Sequence, residues 1–203
     1  MSQTTLGKLG ERLQRILQGG STKPELKITL QDCMLAVAQS RDKLITAIVA
    51  QNKKDGNHTF PYDIISEVET VVAGKKAPLP KRGLSILKHN TGIYRVTTTN
   101  CDEPVELIPR KRGANTLYSG QEVRDLGGMP TYTPSIDHLR VNGVAEGCEL
   151  LVEMVIAGEE FGMGEPFAIP PDLQDDVITA AMGIMQVMYG IPEDKMTDAK
   201  ENG

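Results

Sequence analysis

The residues able to do bond chemistry are few. The histidines are His58, His89 and His138, and the cysteines are Cys33, Cys101 and Cys148. Nucleophilic catalysis needs a base, usually His, beside an activated nucleophile. No Gly-x-Ser-x-Gly occurs, and Asn100-Cys101-Asp102 has no family signature around it, so each histidine reads as a solvated or hydrogen-bonded side chain. The three cysteines are widely spaced without a Cys-x-x-Cys pair, which speaks against a disulfide framework and a zinc site and for small buried hydrophobes.

A phosphate cradle needs converging glycine N–H groups followed by Lys and Ser or Thr. Ala73-Gly74-Lys75-Lys76 has the wrong follower. In Gly162-Met163-Gly164-Glu165-Pro166 the proline removes a donor and the glutamate repels phosphate, so a flexible loop is the better reading. Glu159-Glu160 and Asp175-Asp176 are paired carboxylates, but neighbours on a helix point about 100° apart. Asp175 and Asp176 also suit the first turn of a helix, where they meet the positive end of its dipole. Two basic clusters, Lys75-Lys76 to Lys81-Arg82 and Arg110-Lys111-Arg112, fall in loops without interleaved aromatics, which favours a solvated loop or an acidic partner surface over nucleic acid. These readings assign no catalytic, cofactor-binding or metal-ligating residue and no cofactor.

The elements that position these groups follow from a chain of 203 residues, 39% hydrophobic and 24% charged, long enough to bury a core without staples. With 4% aromatics and no Trp, that core is aliphatic. A net charge of −5 argues against general affinity for nucleic acid or anionic membrane while leaving room for a local basic patch. The start is polar, and no apolar run approaches the ~20 residues that span a bilayer, so a soluble protein made in the cytosol is expected.

Leu6, Leu9, Leu13, Ile16 and Leu17 recur at helical steps before Gly19-Gly20, predicting a helix over 4–18. Thr29 with Asp32 resembles a capping box that opens a longer helix, its stripe Leu30, Cys33, Met34, Val37, Leu44, Ile45, Ile48 and Val49 ending near Gln51 before Asp55-Gly56-Asn57. Between Phe60 and Ile156, short β-branched runs alternate with Gly, Pro and Asn. Strands are expected at Glu67–Val72, Leu84–Leu87, Ile93–Thr98, Val105–Ile108, Ser135–Val141 and Glu149–Ile156, with a weaker one at Thr131–Thr133. Ile64–Val72 could equally begin as a helical turn. Asn142-Gly143 fits either a two-residue hairpin or a longer loop through Gly147. After the loop Gly158–Asp172, Asp172 is placed to cap a last helix with the stripe Leu173, Val177, Ile178, Ala181, Ile184, Met185 and Met188, ending near Gly190. Met182, Met185 and Met188 read as core filling, with an adaptable contact surface as the alternative.

The expected architecture is α+β: N-terminal amphipathic helices, a central mostly antiparallel β region, one C-terminal helix and a polar tail. It divides as a helical segment 1–57, a β region 58–157, a loop and helix 158–191 and an acidic tail 192–203, forming one compact domain with extensions. The tail lacks the apolar surface to fold alone and is expected to fray or to be ordered by a neighbour.

Leu79-Pro80, Leu84 to Leu87, Thr91-Gly92-Ile93-Tyr94-Arg95-Val96, Leu107-Ile108-Pro109, Phe167-Ala168-Ile169-Pro170-Pro171-Asp172-Leu173 and Pro192-Glu193-Asp194 to Asp198 together resemble a phage family. The order of these strings is similar to that of small virion proteins of crAss-like and other tailed bacteriophages of Bacteroidota. The resemblance implies a head-to-tail connector of the neck or tail: a homo-oligomeric, cyclic adaptor ring that contacts portal and tail proteins and lets DNA through its lumen without sequence-specific binding. It implies no catalytic residue, no membrane and a virion location after synthesis in the host cytoplasm. The alternatives are a tail-tube, baseplate or fibre-attachment component, a small virion hydrolase using Glu159, Glu160 or Asp137 with His138, or a cytosolic binding module.

Overall fold

A computed structural model describes residues 4–19, 28–55, 62–86, 91–100, 104–109 and 129–190. The fold is α+β, with three α-helices among the described residues and strand pairing that is antiparallel except at one short pair. Two compact units form, Met1–Ile64 with Ala157–Gly203, and Ile65–Ile156. The expected acidic tail 192–203 lies outside the described residues, as do Gly56 and Asn57 of the expected helix breaker.

The first unit is helical. Helix α1 (Leu6–Leu17) opens where Thr5 Oγ1 accepts the Lys8 N–H at 3.3 Å, and it buries Leu6, Leu9 and Leu13 while Ile16 and Leu17 stay half-buried. Helix α2 (Leu30–Lys54) begins with a reciprocal cap: the Thr29 N–H donates to Asp32 Oδ2 at 3.3 Å and the Asp32 N–H to Thr29 Oγ1 at 3.1 Å. Asp therefore serves where Glu is commoner. Helix α3 (Gln174–Tyr189) ends at Gly190, whose φ of +61° is the left-handed conformation a helix stop favours. Its N-cap is Leu173, with no side-chain hydrogen bond; Asp172 lies one residue earlier, inside a 3-10 turn Pro171–Leu173. Two consecutive prolines direct the chain into that tighter turn first, which corrects the expected cap. Met188 is also a correction, since it is exposed while Val177, Ile178, Ala181 and Met185 are buried.

All three helices pack together, and Tyr189 Oη donates to Asp32 Oδ2 at 2.7 Å, tying the end of α3 to the first turn of α2. Leu13, Val37, Ile45 and Met185 are removed from water here, each worth roughly 1.5–3 kcal/mol. The connecting segment runs beside α1, where Met163 O accepts the Gly7 N–H at 3.0 Å and Thr4 O accepts the Phe167 N–H at 2.9 Å.

The described residues of the second unit form two sheets. In the first, β7 (Glu149–Met154) lies between β1 (Ser66–Val71) and β3 (Ile93–Thr98), antiparallel to both. In the second, the order is β2 (Lys76–Pro78), β6 (His138–Asn142), β5 (Thr131–Pro134) and β4 (Ile108–Pro109), with β4 and β5 parallel. Val68, Val96, Leu150, Val152 and Met154 of the first sheet are buried, as are Ala77, Tyr132, Leu139 and Val141 of the second.

Several strand expectations change. Ser135–Val141 is not one strand: the Ser135 N–H donates to His138 O at 2.8 Å, so the chain turns after Pro134 and pairs back as β6. Leu84–Leu87 is irregular, because the Leu84 N–H donates to Val155 O while the Ile86 N–H folds back onto Leu84 O; Leu87 itself lies outside the described residues. Residues 105–107 pair along β3, and only then does the chain enter the second sheet as β4. Strands β6 and β7 belong to different sheets, so Asn142-Gly143 starts the longer loop through Gly147. Strand β2 was not expected at all; its three residues are too few to show alternation. No helix among the described residues is long and apolar enough to cross a membrane.

Candidate functional site

In the helical unit the most buried charge sits at the centre of α2. Arg41 follows Val37 and precedes Ile45 by one helical step, so the same stripe that buries those residues carries the guanidinium inward, to 0% exposure. Its Nε donates to Ala168 O and its Nη1 to Asp42 Oδ1, both at 2.8 Å. The rings of Phe161 and Phe167 stand edge to face, 5.1 Å apart, each with its centroid 5.3 Å from the guanidinium carbon. Burial pulls the Arg41 guanidinium below its ordinary value, and Asp42 opposes that shift. Asp42 in turn accepts the Gly158 N–H on both oxygens, at 2.9 and 3.1 Å. The arrangement is a clasp that fastens residues 158–168 to α2. Arg41 was absent from the sequence-derived stripe, although its spacing from Val37 and Ile45 is the signal that finds it.

Among the described residues the carboxylates do not converge on a centre in either unit. Asp137 Oδ1 lies 2.6 Å from His138 Nδ1, and this hydrogen bond, foremost among the causes, holds the Asp137 carboxyl below the usual carboxylate range. His138 Nε2 is buried without a hydrogen-bond partner among the described residues. Glu159 and Glu160 belong to the other unit, on a 3-10 turn Gly158–Glu160. Asp175 and Asp176 occupy the first turn of α3, and Asp175 pairs with Arg12 at 2.8 Å, an exposed contact of little energetic weight. Among the described residues no group of three His, Cys, Asp or Glu is placed to hold a metal ion.

The glycine motifs have local explanations. Glu165 Oε2 accepts the Gly162 N–H at 3.0 Å and the Glu165 N–H returns to Gly162 O, so a carboxylate already occupies the donor a phosphate would need. Gly74 and Lys75, at φ of +56° and +62°, form the two-residue turn between Ala73 and Lys76, whose backbones exchange both hydrogen bonds. Cys33 and Cys148 are buried, and burial first, then Asp32, pushes the Cys33 thiol up to about 11. His58, His89, Cys101 and the cluster Arg110-Lys111-Arg112 lie outside the described residues.

Comparison of the sequence with protein-family models and with curated proteins finds no match.

Surface chemistry remains. On α3, Val187 and Met188 are 87% and 55% exposed, and with half-buried Ile184 they follow i, i+3, i+4 spacing on one helix face. In the β unit Ile136 is 77% exposed in the turn between β5 and β6. These side chains offer contact area.

Proposed function

We propose that this chain is a non-enzymatic structural protein of a bacteriophage virion, a head-to-tail connector that assembles as a ring between portal and tail and surrounds the DNA passage. The observation that carries the reading is the apolar face of α3, with Val187 and Met188 turned to solvent. Exposed apolar side chains grouped on one face are a recurring mark of protein contact surfaces. The resemblance of the sequence strings to small neck and tail proteins supplies the setting. Ring closure repeats one modest contact around a circle, so weak interfaces suffice for a stable assembly. An overall charge of −5 also suits a conduit that must not hold DNA.

Mass spectrometry of purified virions, followed by a density map of the neck, tests this. The protein is expected in particles in a fixed ratio to the portal and as a ring in the map. Density in the tube or baseplate would move it to another tail component, and recovery only as a free species in infected cells would refute the virion reading. Lytic or nuclease turnover by the purified protein, with or without divalent metal, that is lost in Asp137→Asn or His138→Ala would replace it with the hydrolase.

A further inference from the structure

The outward faces of the two sheets carry opposite charge. Directly paired residues of neighbouring strands share a face. On the first sheet Glu67 pairs with Glu153 and Glu69 with Leu151, while Val71 pairs with Glu149; across β7, Glu153 meets Arg95 and Leu151 meets Thr97, whose bridge partner is Glu106. The buried residues alternate with these, so the glutamates share the solvent side. Arg95 pairs with Glu153 and is the one basic residue among those positions.

On the second sheet Lys76 of β2 pairs directly with Arg140 of β6, both exposed, with Lys75 in the adjoining turn. The exposed carboxylate near them is Asp137, which already bonds His138 and feels the charge of Lys76. Lys75, Lys76 and Arg140 form no ion pair among the described residues, nor do Glu67, Glu69, Glu106 and Glu149.

Like charges directly opposite in a sheet are destabilising. Lys76 stands opposite Arg140 in this way, and Glu67 stands opposite Glu153, whose charge Arg95 already meets, so an oppositely charged surface would relieve the basic pair and would meet the charges of Glu67 and Glu69. Each face also has apolar content for an interface centre, Leu151 and Val71 on one, Pro78 and the neighbouring Ile136 on the other. Tyr132 of the basic sheet is buried and unavailable for stacking on bases, which favours a polypeptide partner over nucleic acid there.

We propose that a second copy of this chain docks head to tail, the basic outward face of β2 and β6 in one copy against the acidic outward face of β1, β7 and β3 in the next. Two different surfaces meet, so the contact is heterologous and generates a ring or a filament. This rests on the reading of the chain as a self-assembling protein and names its surfaces. The test uses purified protein, so it can fail while the particle experiment succeeds, and the reverse.

Sedimentation velocity of the full chain at low and high salt is the experiment, with circular dichroism confirming that each variant is folded. Wild type is expected to associate at low salt and to weaken at least about tenfold at high salt. Lys76→Glu with Arg140→Glu, and separately Glu67→Lys with Glu69→Lys, are expected to be monomeric alone and to associate when mixed, because mixing restores opposite charges at every contact. A monomeric wild type, unchanged association in the folded reversal variants, or no recovery on mixing overturns the proposal. So does loss of association in Arg110→Ser/Lys111→Ser/Arg112→Ser with retention in Lys76→Glu/Arg140→Glu, which would seat that other basic cluster on the acidic face. Binding of duplex DNA lost in Lys76→Glu/Arg140→Glu, without self-association, would assign the basic face to nucleic acid instead.

Discussion

The Asp42 carboxylate receives the backbone N–H of Gly158 across 116 positions of sequence, while its Oδ1 also holds the buried Arg41. One side chain thus compensates a charge on its own helix and anchors a distant segment. Asp42→Ala removes the Asp42 counter-charge from the guanidinium, and the expected loss is roughly 2–4 kcal/mol in urea unfolding, toward the low side of the buried-pair range because Asp42 is partly open to solvent. Asp42→Asn keeps an acceptor for Gly158 and should cost less. Equal losses for the two would show that the retained acceptor has no part in the clasp and that the charge alone carries it.

Gly158 is required by proximity. A Cβ there would come within 2.7 Å of Ala38 O and 3.0 Å of Ala38 Cα, and backbone of a packed helix cannot retreat as a flexible side chain can. Gly158→Ala is expected to destabilise by about 1–3 kcal/mol through overpacking, measured by thermal and urea unfolding. An unchanged melting temperature would contradict this packing.

Ser40 lies one residue before the clasp, buried, with Oγ lacking a hydrogen-bond partner among the described residues. Ser40→Ala removes an unsatisfied hydroxyl and installs a better helix former. A gain of about 1 kcal/mol in unfolding free energy is expected, and a loss would mean that the hydroxyl is satisfied in solution.

The Tyr189–Asp32 hydrogen bond makes stability depend on pH at both extremes. Hydrogen bonds from Thr29 and then Tyr189 lower the Asp32 pKa, so its contribution is present above the ordinary carboxylate value near 4 and is lost as acid titrates the folded carboxylate. Asp32 raises the Tyr189 pKa, so the phenol's contribution is full below its ordinary value near 10 and is lost as pH rises through the raised one. Denaturation of wild type and Tyr189→Phe across pH should show the wild-type advantage greatest at neutral pH and shrinking toward both ends. A constant difference would rule the bond out.

Cys33 is buried with its thiol pushed up to about 11, so almost no thiolate exists at pH 8. In a Cys101→Ser background, a thiol reagent at that pH should label nothing in the native protein and both remaining cysteines after denaturation. Rapid labelling of Cys33 in the native form, located by peptide mapping, would show that α2 opens readily.

The helices were legible because their information is local. Leu6, Leu9 and Leu13 repeat with the period of the helix they form, Thr29 and Asp32 sit at capping distance, and Gly190 stops α3. Strands Ile93–Thr98 and Glu149–Met154 could be read from β-branched and apolar runs for the same reason. Strand β2 is too short to carry a pattern, and Ser135–Val141 looked continuous because nothing in its composition shows a chain reversing after Pro134.

The amino-acid order alone determined which residues are apolar, at what period they recur, and hence where helices and most strands form. Tertiary structure decided which segments meet: that Asp42 reaches Gly158, that Glu165 fills its own glycine loop, and that Glu67 faces Glu153 while Lys76 faces Arg140. The division is physical. Periodicity is set by backbone geometry over a few residues, whereas pairing register and the partner of a buried charge depend on where remote segments pack, which no short stretch of sequence encodes.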